Sequence, residues 1–161
     1  MRKEWEINRA IERYADSVRR ICMIHLKNYA DCEDIFQAVF LKYALSSVAF
    51  ASDEHEKAWL LRVAINCCRD LRRSFFKSHC VSLEEIAEPA VTMDAPHRDV
   101  LEAVITLPQK YRQVIYLYYY EGYTAPQIGK ILGKNVHTVY THLNRAKELL
   151  REKLGGDEDE E

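Results

Sequence analysis

Two sets of side chains in this sequence have the types and spacing needed to bind phosphates and nucleobases. The first is His137, Thr138, Tyr140, Thr141, Asn144 and Arg145. On a helix they project away from Val139, Leu143, Ala146 and Leu150, whose steps of four, three and four mark an apolar face. Hydroxyl, amide, imidazole and guanidinium groups supply the donors and acceptors that read base edges and hold phosphates. The second set is Arg62, Asn66, Arg69 and Arg73, which share one side of a helix, with Trp59 flanking them. Guanidiniums, one amide and a neighbouring indole suit a phosphate backbone plus one specific base contact or stack. A solvated helix face beside a core tryptophan has the same pattern, and the residues alone leave both readings open.

Catalytic and metal chemistry are poorly supported. Glycine is 5 of 161 residues, and no glycine-rich phosphate loop occurs. Cys22 with His25, and Cys67-Cys68 with His79-Cys80, are the metal-like clusters. Structural zinc sites usually show two spaced ligand pairs. Cys67 falls on the apolar side of its helix, where a small buried hydrophobe accounts for it. Glu33-Asp34 sits at a helix start, where capping explains the charges. The expectation is a protein with no metal, no cofactor and no enzymatic activity.

The elements that must position these residues follow from periodicity. The stretch from Leu107 to Leu154 breaks at Gly122 and Gly133 into three helical segments. Pro108 fits a first helical position, followed by Tyr111, Val114, Ile115 and Tyr118 as an apolar series. Thr124 and Gln127 form a capping box for a short helix that buries Ile128, Ile131 and Leu132. Asn135 caps the last helix. A short helix, a tight glycine turn and a longer helix make a helix-turn-helix, whose second helix can enter a major groove.

Upstream, Ile7, Ile11, Tyr14, Val18, Ile21 and His25 predict a first helix from about Trp5 to Leu26, broken at Asn28-Tyr29-Ala30. Asp31 is the expected cap of the second helix, DCEDIFQAVFLKYALSS, which is apolar on two sides. Ile35, Val39 and Leu45 form one stripe; Phe36, Phe40 and Tyr43 form another. Such a helix either lies deep in a core or meets a partner. Asp53 and Glu56 form a capping-box-like start to a third helix, with Leu60, Ala64, Cys67 and Leu71 on its core side. Residues 81–98 lose periodicity and read as a linker, with a turn of helix at Leu83–Ile86. A helix from Asp99 to Thr106 then leads into the helix-turn-helix. No period-two alternation is sustained, so no sheet is expected.

Composition bounds the class. With 161 residues and 48% hydrophobic content, the chain can form one ordinary domain or two small ones. The net charge of −2 becomes +3 for residues 1–156 once the acidic run Asp157 to Glu161 is set aside. Residues 60–80 alone carry +4. No apolar run approaches the roughly 20 residues of a membrane span. The charged start MRKEWEINRA lacks the apolar core of a signal peptide. Five cysteines without framework spacing suit a reducing compartment, so the expected location is cytoplasmic.

Three blocks together resemble the bacterial RNA polymerase sigma factors of the extracytoplasmic-function (ECF) type. DCEDIFQAVFLKY and EHEKAWLLRVAINCCRDLRRSFF resemble the family's region 2, and LPQKYRQVIYLYYYEGYTAPQIGKILGKNVHTVYTHLNRAKELL resembles its region 4. The resemblance covers roughly Ala10 to Leu154. It implies an all-α chain of two small helical domains joined by a flexible linker: residues 1–80 as region 2, 81–98 as linker, 99–154 as region 4, and 155–161 as an acidic disordered tail. It implies docking of Asp34, Gln37, Phe40 and Leu41 on the clamp helices of the polymerase largest subunit, and contact with its flap. Asn66 would read the minus-10 element, Arg62, Arg69 and Arg73 would hold phosphates, and Trp59 would be core or wedge. His137, Thr138, Tyr140, Thr141, Asn144 and Arg145 would meet the minus-35 element. An anti-sigma partner is a further expectation, and membrane insertion is not.

The sequence departs from that pattern where relatives place a basic residue at the positions of Tyr140 and His142, which predicts weak DNA affinity for the isolated recognition helix. The run Tyr118-Tyr119-Tyr120 is also unusual. A stand-alone helix-turn-helix regulator with an N-terminal sensing or dimerisation domain is the alternative, and a zinc-dependent redox sensor a third. If the second helix docks on polymerase, Phe40→Ala or Gln37→Ala should weaken core binding and leave the fold intact.

Overall fold

The computed structural model describes residues 1–79 and 98–155. They form two compact helical units, divided within the stretch read as a linker, and no strand occurs among the described residues. The expected linker, its turn at Leu83–Ile86 and the acidic run after Gly155 lie outside the described residues, apart from Arg98, which opens a helix.

The first unit packs α1 (Glu4–Leu26), α2 (Tyr29–Leu45) and α3 (Asp53–His79) against one another. The break after α1 is tighter than the sequence suggests. Lys27 takes the left-handed conformation at φ 57° and its N–H reaches Met23 O. Asn28, not Asp31, caps α2: its Oδ1 accepts the Asp31 N–H at 3.1 Å. α3 starts at Asp53 as expected, but its cap is Ser52, whose Oγ accepts the His55 N–H at 3.1 Å. Glu56, expected in a capping box, is buried instead and accepts the Tyr43 hydroxyl at 2.9 Å. That bond ties α2 to the first turn of α3. Burial, then the hydrogen bond to Glu56 and its charge, push the Tyr43 hydroxyl up to about 12.

Val18, Ile21, Val39, Leu60, Leu61 and Ala64 are fully enclosed between the three helices. Cys22, Cys32, Cys67 and Cys68 are free, buried thiols. Burial pushes Cys32 up to about 12, and the Cys68 thiol, hydrogen-bonded with Cys22, lies far above its usual value. These are inert packing positions rather than reactive ones. Among the described residues no three metal-ligating side chains converge.

The second unit contains α4 (Arg98–Ile105), α5 (Gln109–Ile115), α6 (Ala125–Leu132) and α7 (Val136–Leu154). Pro108 is the N-cap of α5, one position before its expected place. Beyond Ile115 the helix widens into a π-helical segment, Tyr116–Tyr120, in which Glu121 N–H reaches Tyr116 O at 3.2 Å. The extra residue in that turn changes the buried face. Tyr116 and Leu117 are enclosed, whereas Tyr118, expected in the core, is 37% exposed. Arg112 is buried and donates to Ile105 O at 3.0 Å, which fixes the turn between α4 and α5.

Candidate nucleic-acid interface

The recognition face is built by three local devices. Gly122 ends the π-helical segment at φ 75°. Thr124 Oγ1 accepts the Gln127 N–H at 3.3 Å, and Gln127 Oε1 accepts the Thr124 N–H at 2.9 Å, so α6 starts on the expected capping box. Gly133 ends α6 at φ 65°, and Asn135 Oδ1 accepts the His137 N–H at 2.8 Å to start α7. The turn is tight because α6 approaches it at Gly129, whose O accepts the Lys134 N–H at 2.8 Å.

Val139, Leu143 and Ala146 are buried, and this fixes the rotation of α7. His137, Thr138, Tyr140, Thr141, Asn144 and Arg145 all lie on the exposed side. The Thr141 hydroxyl donates to His137 O at 2.9 Å, leaving its oxygen to accept. Arg145 pairs with Glu148 at 2.9 Å, and this neighbour raises the guanidinium pKa further. His142 is turned inward, edge-on to the Tyr111 ring at 5.6 Å. Burial, with Lys134 and Lys110 nearby, lowers its pKa and favours the neutral ring. The face therefore carries many hydrogen-bonding groups and little free positive charge.

On α3, Arg62 and Arg73 are exposed, while Asn66 and Arg69 are half-buried. Arg69 Nη2 donates to Asn66 Oδ1. A guanidinium can only donate, so the Asn66 carbonyl faces Arg69 and its NH₂ group is directed elsewhere. Arg69 thus orients the amide as well as adding charge. Trp59 is half-buried in an aromatic cluster, with ring centroids 6.1 Å from Tyr43 and 5.7 Å from Phe50. Phe50 in turn stands 5.4 Å from His55. Phe50 and His55 escaped the sequence reading; the one signal was a lone aromatic in the short connection SSVAFAS.

The α2 face differs from its expected form. Asp34, Gln37 and Leu41 are exposed in line, but Phe40 is only 5% exposed and packs on Phe36 at 4.9 Å. Phe40 belongs to the core because its helical phase falls on the buried side of α2, with Phe36, Val39 and Tyr43. Leu45, grouped by spacing with Ile35 and Val39, does not share their burial: it is 62% exposed and continues the line through Leu41.

Two polar helix faces lie on separate helical units, one of them a helix-turn-helix, which is the arrangement a bipartite nucleic-acid-binding protein requires. Residues 10–74 match the family model for sigma-70 region 2, and residues 97–150 match that for sigma-70 region 4. The chain is 28% identical to the ECF RNA polymerase sigma factor SigW of Bacillus subtilis, over 89% of this chain and 86% of that one. It is 31% identical to the RNA polymerase sigma factor SigV of the same organism, over 84% and 82%. In fold it is similar to the sigma factor RpoE, solved with the anti-sigma factor NepR from Bartonella quintana. The TM-score is 0.75 at 22% identity, covering 93% of this chain and 97% of that one. CnrH, solved with the cytosolic domain of CnrY, gives 0.66 at 21%, covering 96% and 91%. The chain belongs to the RNA polymerase sigma factors of the ECF type. It binds core polymerase and directs promoter-specific initiation; it is a specificity subunit, not an enzyme. Region 2 occupies the place that a stand-alone regulator would give to a sensing or dimerisation domain.

Proposed function

We propose that residues 1–80 form region 2 and residues 99–154 form region 4, with residues 81–98 as the span between two promoter contacts. In this reading Asp34, Gln37 and Leu41, continued by Leu45, form the surface for the polymerase clamp helices. Phe40 supports that surface from beneath. Asn66 reads one unstacked base of the minus-10 element, Arg62 and Arg73 hold phosphates, and Arg69 holds both Asn66 and the backbone. Trp59 acts within its aromatic cluster. An unstacked base is readable because its hydrogen-bonding edge is open and an aromatic replaces its stacking. The six exposed side chains of α7 meet the minus-35 element, and their low charge is offset by tethering on polymerase.

The observation that carries the reading is the Arg69–Asn66 hydrogen bond, which presents an oriented amide on the basic side of α3. An amide presented this way supports reading rather than simple attraction. In open-complex assays with core polymerase, Asn66→Ala should lower promoter opening about tenfold, the equivalent of one good base contact. Core affinity should stay the same. Equal loss of both would make Asn66 structural.

RpoE and CnrH were each solved with a protein partner. By analogy, an anti-sigma protein would cover the exposed faces of α2 or α7 here. Among the described residues no helix is long and apolar enough to cross a membrane. A polymerase subunit of this kind works in the cytoplasm.

A further inference from the structure

The connection before α3 has a clamp that the sequence does not advertise. Residues 46–52, SSVAFAS, are small apart from Val48 and Phe50 and adopt no helix before α3. Their far end is fixed by α3 itself, through the Ser52 cap and the Ala51 N–H bond to His55 Nδ1 at 3.1 Å. Their near end is held by Arg2. Its backbone N–H donates to Ala44 O at 2.8 Å. Its Nε donates to Tyr43 O at 3.0 Å, and its Nη2 donates to Ser46 Oγ at 3.1 Å and to Val48 O at 2.5 Å. The guanidinium carbon lies 4.4 Å from the Tyr43 ring centroid and 4.9 Å from that of Phe50. Those two rings are parallel within 6°.

Arg2 thus satisfies two carbonyls at the C-terminus of α2, Ala44 O with its backbone N–H and Tyr43 O with its side chain, whose cation also complements the helix dipole. The same side chain fixes the backbone at Val48 and holds Phe50 by a cation–π contact. Phe50 packs on Trp59, one turn of α3 from Arg62 and two from Asn66.

We propose that Arg2 is a positioning residue for promoter reading: by clamping residues 46–50 to the end of α2 it sets where Phe50 and Trp59 stand beside the minus-10 contact. The proposal rests on the reading of α3 given above. A planar guanidinium fork is required, because a lysine ammonium reproduces the charge but not the parallel bonds and stacking. The clamp spans more than forty residues of chain, so only the folded unit assembles it.

The test uses the full-length protein with core polymerase. In a Trp5→Phe background Trp59 is the lone indole, because the chain has two tryptophans. Arg2→Ala and Arg2→Lys are compared by Trp59 emission, thermal melting, core affinity and open-complex formation. The promoters are a matched one and single-base variants across its minus-10 element. Arg2→Ala should shift Trp59 emission to the red and leave core affinity within about twofold. It should also flatten discrimination between matched and altered minus-10 sequences about tenfold, as expected for losing a charge-assisted contact. Arg2→Lys should fall between. Shifted emission with intact discrimination would overturn the proposal. So would a parallel loss of core affinity, melting temperature and discrimination, which would make Arg2 a general brace of region 2. If Arg2→Ala does not fold, wild-type discrimination by Arg2→Lys overturns it. Asn66→Ala in the same assay separates the two failures: if it too leaves opening unchanged, the minus-10 reading falls; if it abolishes opening while Arg2 variants are neutral, only the clamp falls.

Discussion

At the scale of single residues, short hydrogen-bonded pairs decide what each polar group can do. Arg69 turns Asn66 from a generic amide into one with a defined donor direction. Tyr43 and Glu56 do the same for architecture, joining two helices through one buried bond. This pair sets a pH dependence. The Tyr43 hydroxyl is raised from an ordinary value near 10 to about 12. Its contribution is therefore complete below pH about 10 and is lost as pH rises through about 12. Urea unfolding across that range should show an alkaline loss of stability that Tyr43→Phe reduces. At neutral pH the same variant should cost about 1–3 kcal/mol, because Glu56 loses a buried partner. A variant with unchanged stability at neutral pH and an unchanged alkaline limb would show that the bond carries neither effect.

At the scale of elements, close packing distinguishes faces that periodicity leaves equivalent. Residues on α2 that look alike in sequence divide sharply: Phe40 is enclosed, Leu41 and Leu45 are open. Phe40→Ala should therefore cost about 3–5 kcal/mol, by analogy with other buried phenylalanines, and should lower the melting temperature. This revises the expectation of an intact fold. Leu41→Ser should leave melting unchanged and weaken core binding; unaffected binding would move the docking surface elsewhere. The helix-turn-helix offers a second case. A Cβ at Gly129 would stand 2.8 Å from Lys134 O, a backbone atom held by its own turn. Gly129→Ala should lose about 1–3 kcal/mol of stability by overpacking, measured by thermal circular dichroism. Higher helix propensity alone would give a gain of up to about 1 kcal/mol, so a rise in melting temperature would show that the turn can open.

At the scale of the molecule, two units with separate cores share one task through polymerase. The α7 face has hydrogen-bonding groups in number but its guanidinium, Arg145, is paired with Glu148. In the reading proposed above, weak intrinsic affinity would keep such a helix from engaging DNA without polymerase, where tethering would supply the missing concentration. Glu148→Gln should release Arg145. Fluorescence anisotropy with a minus-35 duplex should then show tighter binding by the isolated protein. The slope of log affinity against log salt should steepen by about one phosphate contact. An unchanged slope would place Arg145 away from the backbone.

The amino-acid order by itself determined the helical class, the two-part layout and the polar face of α7. These depend on local spacing and on caps such as Thr124 with Gln127 and Asn135, whose partners lie within a few residues. Tertiary structure alone decided that both apolar stripes of α2 are enclosed while Leu45 is open, that Tyr116 and Leu117 rather than Tyr118 face inward, and that Arg2 reaches Val48. The reason is physical. A helix forms from bonds four residues apart, but its rotation and the groups it meets are set by side chains far away in sequence, and those distances exist only once the chain has folded.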